Sequence, residues 1–205
     1  MDFFRHIVSD FQSFTILEII AVVFALIYVI LAWKEKIACW VFGIISSFIF
    51  MYISFKVNYK LEAFLYLFYV LMGFYGWYEW AKGLKKVEEK AVISTWNSKK
   101  HLLILIFGLI SCIILAYIFD KYLNSSLPYL DAVTTVFAII ATWMTTRKIL
   151  ENWIYWIIID VLSIYLYLHK DLYFASALYI IYVFIAAAGY YTWLNSYNRS
   201  KELLK

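Results

Sequence analysis

Trp153, Trp156, Asp160, Ser163 and Tyr167 follow one another at spacings of 3, 4, 3 and 4, which puts all five on one face of an α-helix. The residues between them are almost entirely apolar, so the Asp160 carboxylate falls in the middle of a membrane span. A charge at that depth costs on the order of 3 kcal/mol by insertion scales, and such residues face a protein interior or a watery cavity. Two indoles beside one carboxylate suit a flat cation. Each ring face contributes roughly 0.5–2 kcal/mol of cation–π attraction, and the carboxylate supplies the opposite charge. The alternative is an Asp160 satisfied by a Ser or Tyr of a neighbouring helix, with the tryptophans serving as packing or interface anchors.

Two further stripes share helical spacing: Tyr66, Tyr69, Gly73, Gly76, Trp80 and Tyr179, Tyr182, Ala186, Gly189, Trp193. Their small residues allow close helix contact. Their phenols need hydrogen-bond partners at mid-depth, either protein or ligand. Glu18 and Asp131 occupy matching places early in two spans, either as caps or bridges or as cation-attracting groups at an entrance. Thr134, Thr135, Thr142, Thr145 and Thr146 make one span rich in hydroxyls, which can also bond within their own helix. Cys39 and Cys112 lie in apolar surroundings without metal spacing and read as packing residues. His6, His101 and His169 fall at span ends, so no buried metal or haem pair is expected. HExxH, GxSxG and Gly-rich phosphate motifs are absent, which argues against an enzyme and against a cofactor. A retinal protein would need a lysine within Leu172–Trp193, and that run has none.

These residues must be positioned by a membrane bundle. The chain has 205 residues, 65% of them hydrophobic and 22% aromatic, with only 16% charged and a mean hydropathy of +0.78. Crossing a hydrocarbon core of about 30 Å takes roughly 20 helical residues, which leaves no room for a folded extramembrane domain, a nucleotide-binding fold or a nucleic-acid-binding module. Seven runs read as spanning helices: Phe14–Trp33, Ile37–Phe55, Leu61–Trp80, Leu102–Phe119, Pro128–Thr146, Trp153–Leu168 and Leu172–Trp193. A β-barrel would require alternating polarity, which Leu102-Leu-Ile-Leu-Ile-Phe107 does not show. The segment before the first run lacks a basic n-region and a cleavage site, so that run is expected to be retained. Lys and Arg number five on one side of this topology and thirteen on the other. The basic side is expected to be cytoplasmic, with Met1 outside and Lys205 inside. The loop 81–100, with Lys82, Lys85, Lys86, Lys90, Lys99 and Lys100, reads as a topological anchor with affinity for anionic lipid.

A shift of 113 residues superposes the two ends of the chain. It brings Phe24-Ala25 onto Phe137-Ala138, Lys34 onto Arg147, Trp40 onto Trp153, Leu65-Tyr66 onto Leu178-Tyr179, Tyr69-Val70 onto Tyr182-Val183, Gly76 onto Gly189 and Trp80 onto Trp193, without a gap. The expected fold is an all-α polytopic membrane protein of seven transmembrane helices, two parallel three-helix repeats joined by a linker helix. The division is 14–80 for the first repeat, 81–100 for the basic loop, 101–119 for the linker helix, 128–193 for the second repeat and 194–205 for a cytoplasmic tail. A transporter of this kind carries its solute near the midplane between repeats that rock against each other. The equivalents of Trp153, Trp156, Asp160 and Ser163 are Trp40, Gly43, Ser47 and Phe50. The site is therefore expected to be single and asymmetric, built on the second repeat, with Trp40, Ser47, Tyr66 and Tyr69 of the first as its opposite wall and Tyr179 and Tyr182 beside Asp160.

Glu151-Asn152-Trp153-Ile-Tyr-Trp156-Ile-Ile-Ile-Asp160, the run Tyr165–Tyr173 and Ala188-Gly189-Tyr190 resemble the second half of the nicotinamide riboside transporter family, PnuC. Trp40-Val-Phe-Gly43-Ile-Ile-Ser46 and Tyr75-Gly76-Trp77-Tyr78-Glu79-Trp80 resemble its first half, and the likeness runs from Glu18 to Trp193. The resemblance implies a three-plus-one-plus-three fold related to the SWEET sugar transporters, homotrimers, facilitated diffusion across a bacterial inner membrane, and trapping of the vitamin by a cytoplasmic kinase. It also implies that a WxxWxxxN pattern contributes to the substrate site; here that pattern falls on Trp153, Trp156 and, in place of Asn, Asp160. The family includes thiamine and riboflavin transporters. A carboxylate is compatible with the cations nicotinamide riboside, the leading expectation, and thiamine, and gains nothing from neutral riboflavin. The competing class is a membrane receptor or scaffold without solute flux.

Overall fold

The computed structural model describes residues 2–85, 93–123 and 125–203. Among the described residues it is helical throughout, apart from one isolated β-bridge. The helices are α1 (Asp2–Gln12), α2 (Ile16–Trp33), α3 (Cys39–Lys56), α4 (Lys60–Lys85), α5 (Ser98–Leu123), α6 (Pro128–Thr146), α7 (Asn152–His169) and α8 (Tyr173–Leu203). Five of them, α2, α3, α5, α6 and α8, are long and apolar enough to cross a bilayer on length and composition. Helix is the form such segments take, because it satisfies every backbone N–H and C=O within the segment. The two long helices outside this group, α4 and α7, carry Tyr66, Tyr69 and Asp160 among their polar side chains, which lower their apolarity.

Local chemistry sets the helix ends. Thr15 and Glu18 close a capping box on α2, with Thr15 N–H donating to Glu18 Oε2 at 2.7 Å and Glu18 N–H donating to Thr15 Oγ1 at 3.3 Å. Pro128 begins α6, where its missing N–H costs no helical bond. Four helices stop in the same way, on a non-glycine residue with positive φ: Glu35 (54°), Asn58 (64°), Lys148 (50°) and Asp171 (56°). The following amide folds back onto the last turn in each case, as in Lys36 N to Leu31 O (2.9 Å) and its counterpart Ile149 N to Met144 O (3.0 Å).

These four corners are two equivalent pairs at the 113-residue offset. The helices follow suit: Cys39–Lys56 and Asn152–His169 are both 18 residues long at that offset, and Lys60 and Tyr173 open α4 and α8. Within the first half α3 packs on both α2 and α4; within the second, α7 packs on both α6 and α8. Contact between the halves runs through α2 against α8 and, reciprocally, α4 against α6, while α5 packs on α6.

Helix extends beyond the apolar runs. An amphipathic helix, α1, precedes the first span; its apolar residues Phe4, Val8 and Phe11 recur at helical spacing, but eleven residues are too few to register as a hydropathy run. Helix also enters the segments 81–100 and 194–205. Helix α4 continues to Lys85, α5 begins at Ser98 and α8 runs to Leu203. Hydropathy marks where apolar side chains stop, whereas a helix continues through polar helix-formers until a capping corner ends it. The end of the loop is also anchored: Ser94 bridges to Ile149, Ile93 is buried in a tryptophan cluster, and Trp96 N–H donates to Glu151 Oε2 at 3.3 Å. Lys86 and Lys90 of that loop lie outside the described residues.

Candidate functional site

Helix α7 carries the predicted stripe, and burial divides it. At its start Trp153 is 3% exposed and stands edge-to-face to Trp193 at 5.4 Å. Its ring lies against Gly189 of α8, where a Cβ would meet it at 2.7 Å. Trp40 repeats the arrangement on Gly76 (2.4 Å) and Trp80 (5.4 Å). Trp80 and Trp193 in turn meet at 6.0 Å, so four indoles form one core at the end of the bundle where α2 turns into α3 and α6 into α7. The Nε1–H groups of Trp40 and Trp153 are buried without a hydrogen-bond partner. Both members of an equivalent pair thus hold a spare donor.

The contacts joining the halves in this core are reciprocal. Trp80 Nε1–H donates to Thr145 O at 3.3 Å, and Trp193 Nε1–H donates to Ala32 O at 3.2 Å; each donor and each acceptor is the other's counterpart at the 113-residue offset. Glu35 and Lys148, also counterparts, pair with each other at 3.1 Å, and the Lys148 ammonium lies 4.6 Å from the Trp80 ring centre. Arg147 adds bonds to Tyr75 Oη and Glu79 Oε2, each 3.1 Å.

One turn further along α7, Trp156 is half-buried and its Nε1–H reaches Thr145 Oγ1 at 3.4 Å. Asp160 follows at 3% exposure and Ser163 at 2%. Among the described residues nothing hydrogen-bonds the Asp160 carboxylate, and Tyr179 and Tyr182 of α8 are the phenols within its electrostatic reach. Tyr167 stacks on Tyr179 at 5.1 Å and 14°, Tyr179 meets Tyr182 at 5.8 Å, and in the other half Tyr66 stacks on Phe50 at 5.2 Å and meets Tyr69 at 6.3 Å. Tyr66 and Tyr69 of α4 lie within electrostatic reach of Tyr167, and Tyr66 of Tyr182 as well, so the two halves meet here. All five phenols are half-buried. An acidic group with spare acceptor capacity under a collar of phenols can hold a cation and bond its hydroxyls.

The predicted residues therefore fall into two groups. Asp160, Tyr179, Tyr182, Tyr66 and Tyr69 belong to the phenol cluster, with Trp156 one turn before Asp160 on α7 and the buried Ser163 one turn after it. Trp40 and Trp153 belong to the indole core. Ser47 is half-buried on α3, and its neighbour Ser46 donates to Ala21 O at 2.8 Å. Glu18 is engaged in its capping box, and Asp131 accepts both Lys170 Nζ bonds (2.7 and 2.9 Å) and the Ser125 hydroxyl. Thr134, Thr142, Thr145 and Thr146 each donate within their own helix. Two participants were not singled out as site residues. Tyr167 ended the stripe, and Tyr28, half-buried within electrostatic reach of Tyr69 and stacked against Gly43, stood alone as a phenol in an aliphatic span.

Apolar helices in two like-built halves, with a carboxylate buried on α7, make up the architecture of a multi-pass membrane transporter. The chain belongs to the family described as nicotinamide mononucleotide transporter, which matches residues 15–195. It is similar to the nicotinamide riboside transporter PnuC of Escherichia coli (strain K12), with 28% identity over 204 residues covering 88% of this chain and 85% of the relative. The PnuC of Neisseria mucosa is 27% identical, covering 95% and 78%. The riboflavin/roseoflavin transporter RibM of Streptomyces davaonensis is 26% identical over 65% of this chain and 64% of the relative. In three dimensions the fold matches a crystal structure of the vitamin B3 transporter PnuC with a TM-score of 0.71 and 23% identity, covering 96% of this chain and 90% of that one.

Proposed function

We propose that this protein takes up nicotinamide riboside by facilitated diffusion. The observation that carries the reading is the Asp160 carboxylate, buried, without a hydrogen-bond partner among the described residues and flanked by Tyr179 and Tyr182, in a chain similar to proteins named nicotinamide riboside transporters. A permanently cationic pyridinium on a ribose supplies what that site lacks: a positive charge for the carboxylate, a flat ring for Trp156 and hydroxyls for the phenols.

In this reading the chain has seven spans, three plus one plus three as in SWEET transporters, with the α2–α3 and α6–α7 turns cytoplasmic. It is a homotrimer of a bacterial inner membrane, and a cytoplasmic kinase traps the vitamin. The two halves rock about the phenol cluster. The Glu35–Lys148 pair and the reciprocal tryptophan bonds latch the cytoplasmic side, and the spare Nε1–H donors of Trp40 and Trp153 are satisfied as that side opens. The same carboxylate also accommodates thiamine, which is the second reading.

Isothermal titration of the purified protein with nicotinamide riboside, with thiamine as competitor, separates the two. Saturable riboside binding unaffected by excess thiamine supports the proposal. Binding of thiamine alone assigns the site to that vitamin, and binding of neither sinks both.

A further inference from the structure

We propose that α1 is an interfacial helix whose Phe4–Val8–Phe11 stripe is seated at the headgroup–acyl boundary of the phospholipid bilayer. Its residues divide into three sectors of one helix. Phe3, His6 and Asp10 face the start of α8: Phe3 lies 6.0 Å from the Tyr173 ring, His6 stacks on that ring at 4.7 Å, and Asp10 Oδ2 accepts the Phe174 N–H at 3.1 Å. Phe4, Val8 and Phe11, spaced i, i+4 and i+7, form the next sector and are 75%, 55% and 43% exposed. Arg5, Ser9 and Gln12 form the third, which is polar.

A helix with one side docked on protein, one apolar and one polar needs three surroundings along its whole length. A helix lying flat at the membrane surface has all three. The chain holds α1 at that level twice over. Only Ser13, Phe14 and Thr15 separate it from α2, a tether of about 10 Å. Phe11 and Phe14 also pack on Phe174 at 5.4 and 4.9 Å, at the head of the neighbouring span. The exposed stripe continues into Ile16, Leu17 and Ile20 of α2 (77%, 45% and 37% exposed), the first turns of a helix long and apolar enough to cross a bilayer. Beside Phe4 and Val8 runs a groove that Arg5, Ser9 and Gln12 also line, where the Arg5 guanidinium is placed to meet a lipid phosphate.

The test uses the full chain in vesicles of phosphatidylcholine and phosphatidylglycerol, with Phe4→Cys, Val8→Cys or Ser9→Cys carrying an environment-sensitive fluorophore. The native thiols Cys39 and Cys112 are buried, and the parent protein measures their background labelling. The three sites are exposed, so the substitutions leave the core untouched. Labels at 4 and 8 should be quenched several-fold more by doxyl-labelled lipid than by aqueous iodide, and the label at 9 the reverse. Equal iodide quenching at all three sites would overturn the proposal by placing the stripe in water. Shielding of 4 and 8 from both quenchers would overturn it in favour of a second copy of the chain as the occupant.

Discussion

Among the described residues Asp160 has no hydrogen-bond partner, and its substitutions separate charge from shape. If it holds a cationic solute, Asp160→Ala should weaken binding at least about 30-fold, in line with the roughly 2–5 kcal/mol lost when one partner of a buried charge pair is truncated. Asp160→Asn keeps the size and a hydrogen-bonding group and should fall between the two. Titration calorimetry of the three proteins reads this, and an unchanged affinity in Asp160→Ala removes the residue from the pocket. Gly189 tests the indole core separately. Its Cβ position lies 2.7 Å from a Trp153 ring that Trp193 backs, so Gly189→Ala should destabilise the protein by about 1–3 kcal/mol and lower its melting temperature in detergent. A variant as stable as the parent would show that the ring can move aside. The Trp153–Tyr167 stripe was legible because a carboxylate among apolar residues at a 3.6-residue period has few explanations. The split of that stripe between indole core and phenol cluster was not, since Trp153 and Trp156 look alike until Gly189 covers one of them.

The corners between α2 and α3 and between α6 and α7 place Glu35 and Lys148 in the left-handed conformation, which costs a non-glycine residue about 1 kcal/mol. Side chains held there face each other across the two halves, with Glu35 25% and Lys148 10% exposed. Glu35→Gln should cost about 1–3 kcal/mol, between the values for exposed and buried pairs. If the pair is a latch, that cost falls on the closed state. Cys39, fully buried beside the same tryptophans, then becomes the reporter: its labelling by a maleimide should rise about tenfold for each 1.4 kcal/mol of opening. The swap Glu35→Lys with Lys148→Glu should restore the slow rate. Labelling of Glu35→Gln at the parental rate would make the pair a passive contact. At the other end Asp10 accepts the Phe174 N–H near the start of α8, and Asp10→Ala should cost about 1 kcal/mol in the same melting assay. These elements were legible as apolar runs. Their ends were not, because corners such as Glu35 and Lys148 use no glycine, and α4 and α8 continue past the last apolar turn.

At the scale of the molecule, two halves of the same build meet through equivalent surfaces, α2 on α8 and α4 on α6, so one contact implies its mirror partner in the other half. If the halves rock as proposed, they exchange which end of the site is closed without unfolding either half. Facilitated diffusion predicts that proteoliposomes loaded with nicotinamide riboside exchange labelled vitamin at equal rates with and without a proton or sodium gradient, and that uptake stops at the external concentration. Uphill accumulation driven by either gradient would refute it. The sequence alone determined that the chain is a helical membrane protein with an internal repeat and a lone mid-span carboxylate, because hydropathy, the period of 3.6 and the offset of 113 residues are properties of order along the chain. Only the tertiary structure decided which aromatic residues joined the indole core and which the phenol cluster, that Asp131 is taken by Lys170, and that Glu35 finds its own counterpart, Lys148. Those outcomes depend on which faces meet across the two halves, and side chains more than a hundred residues apart carry no local signal of their partner.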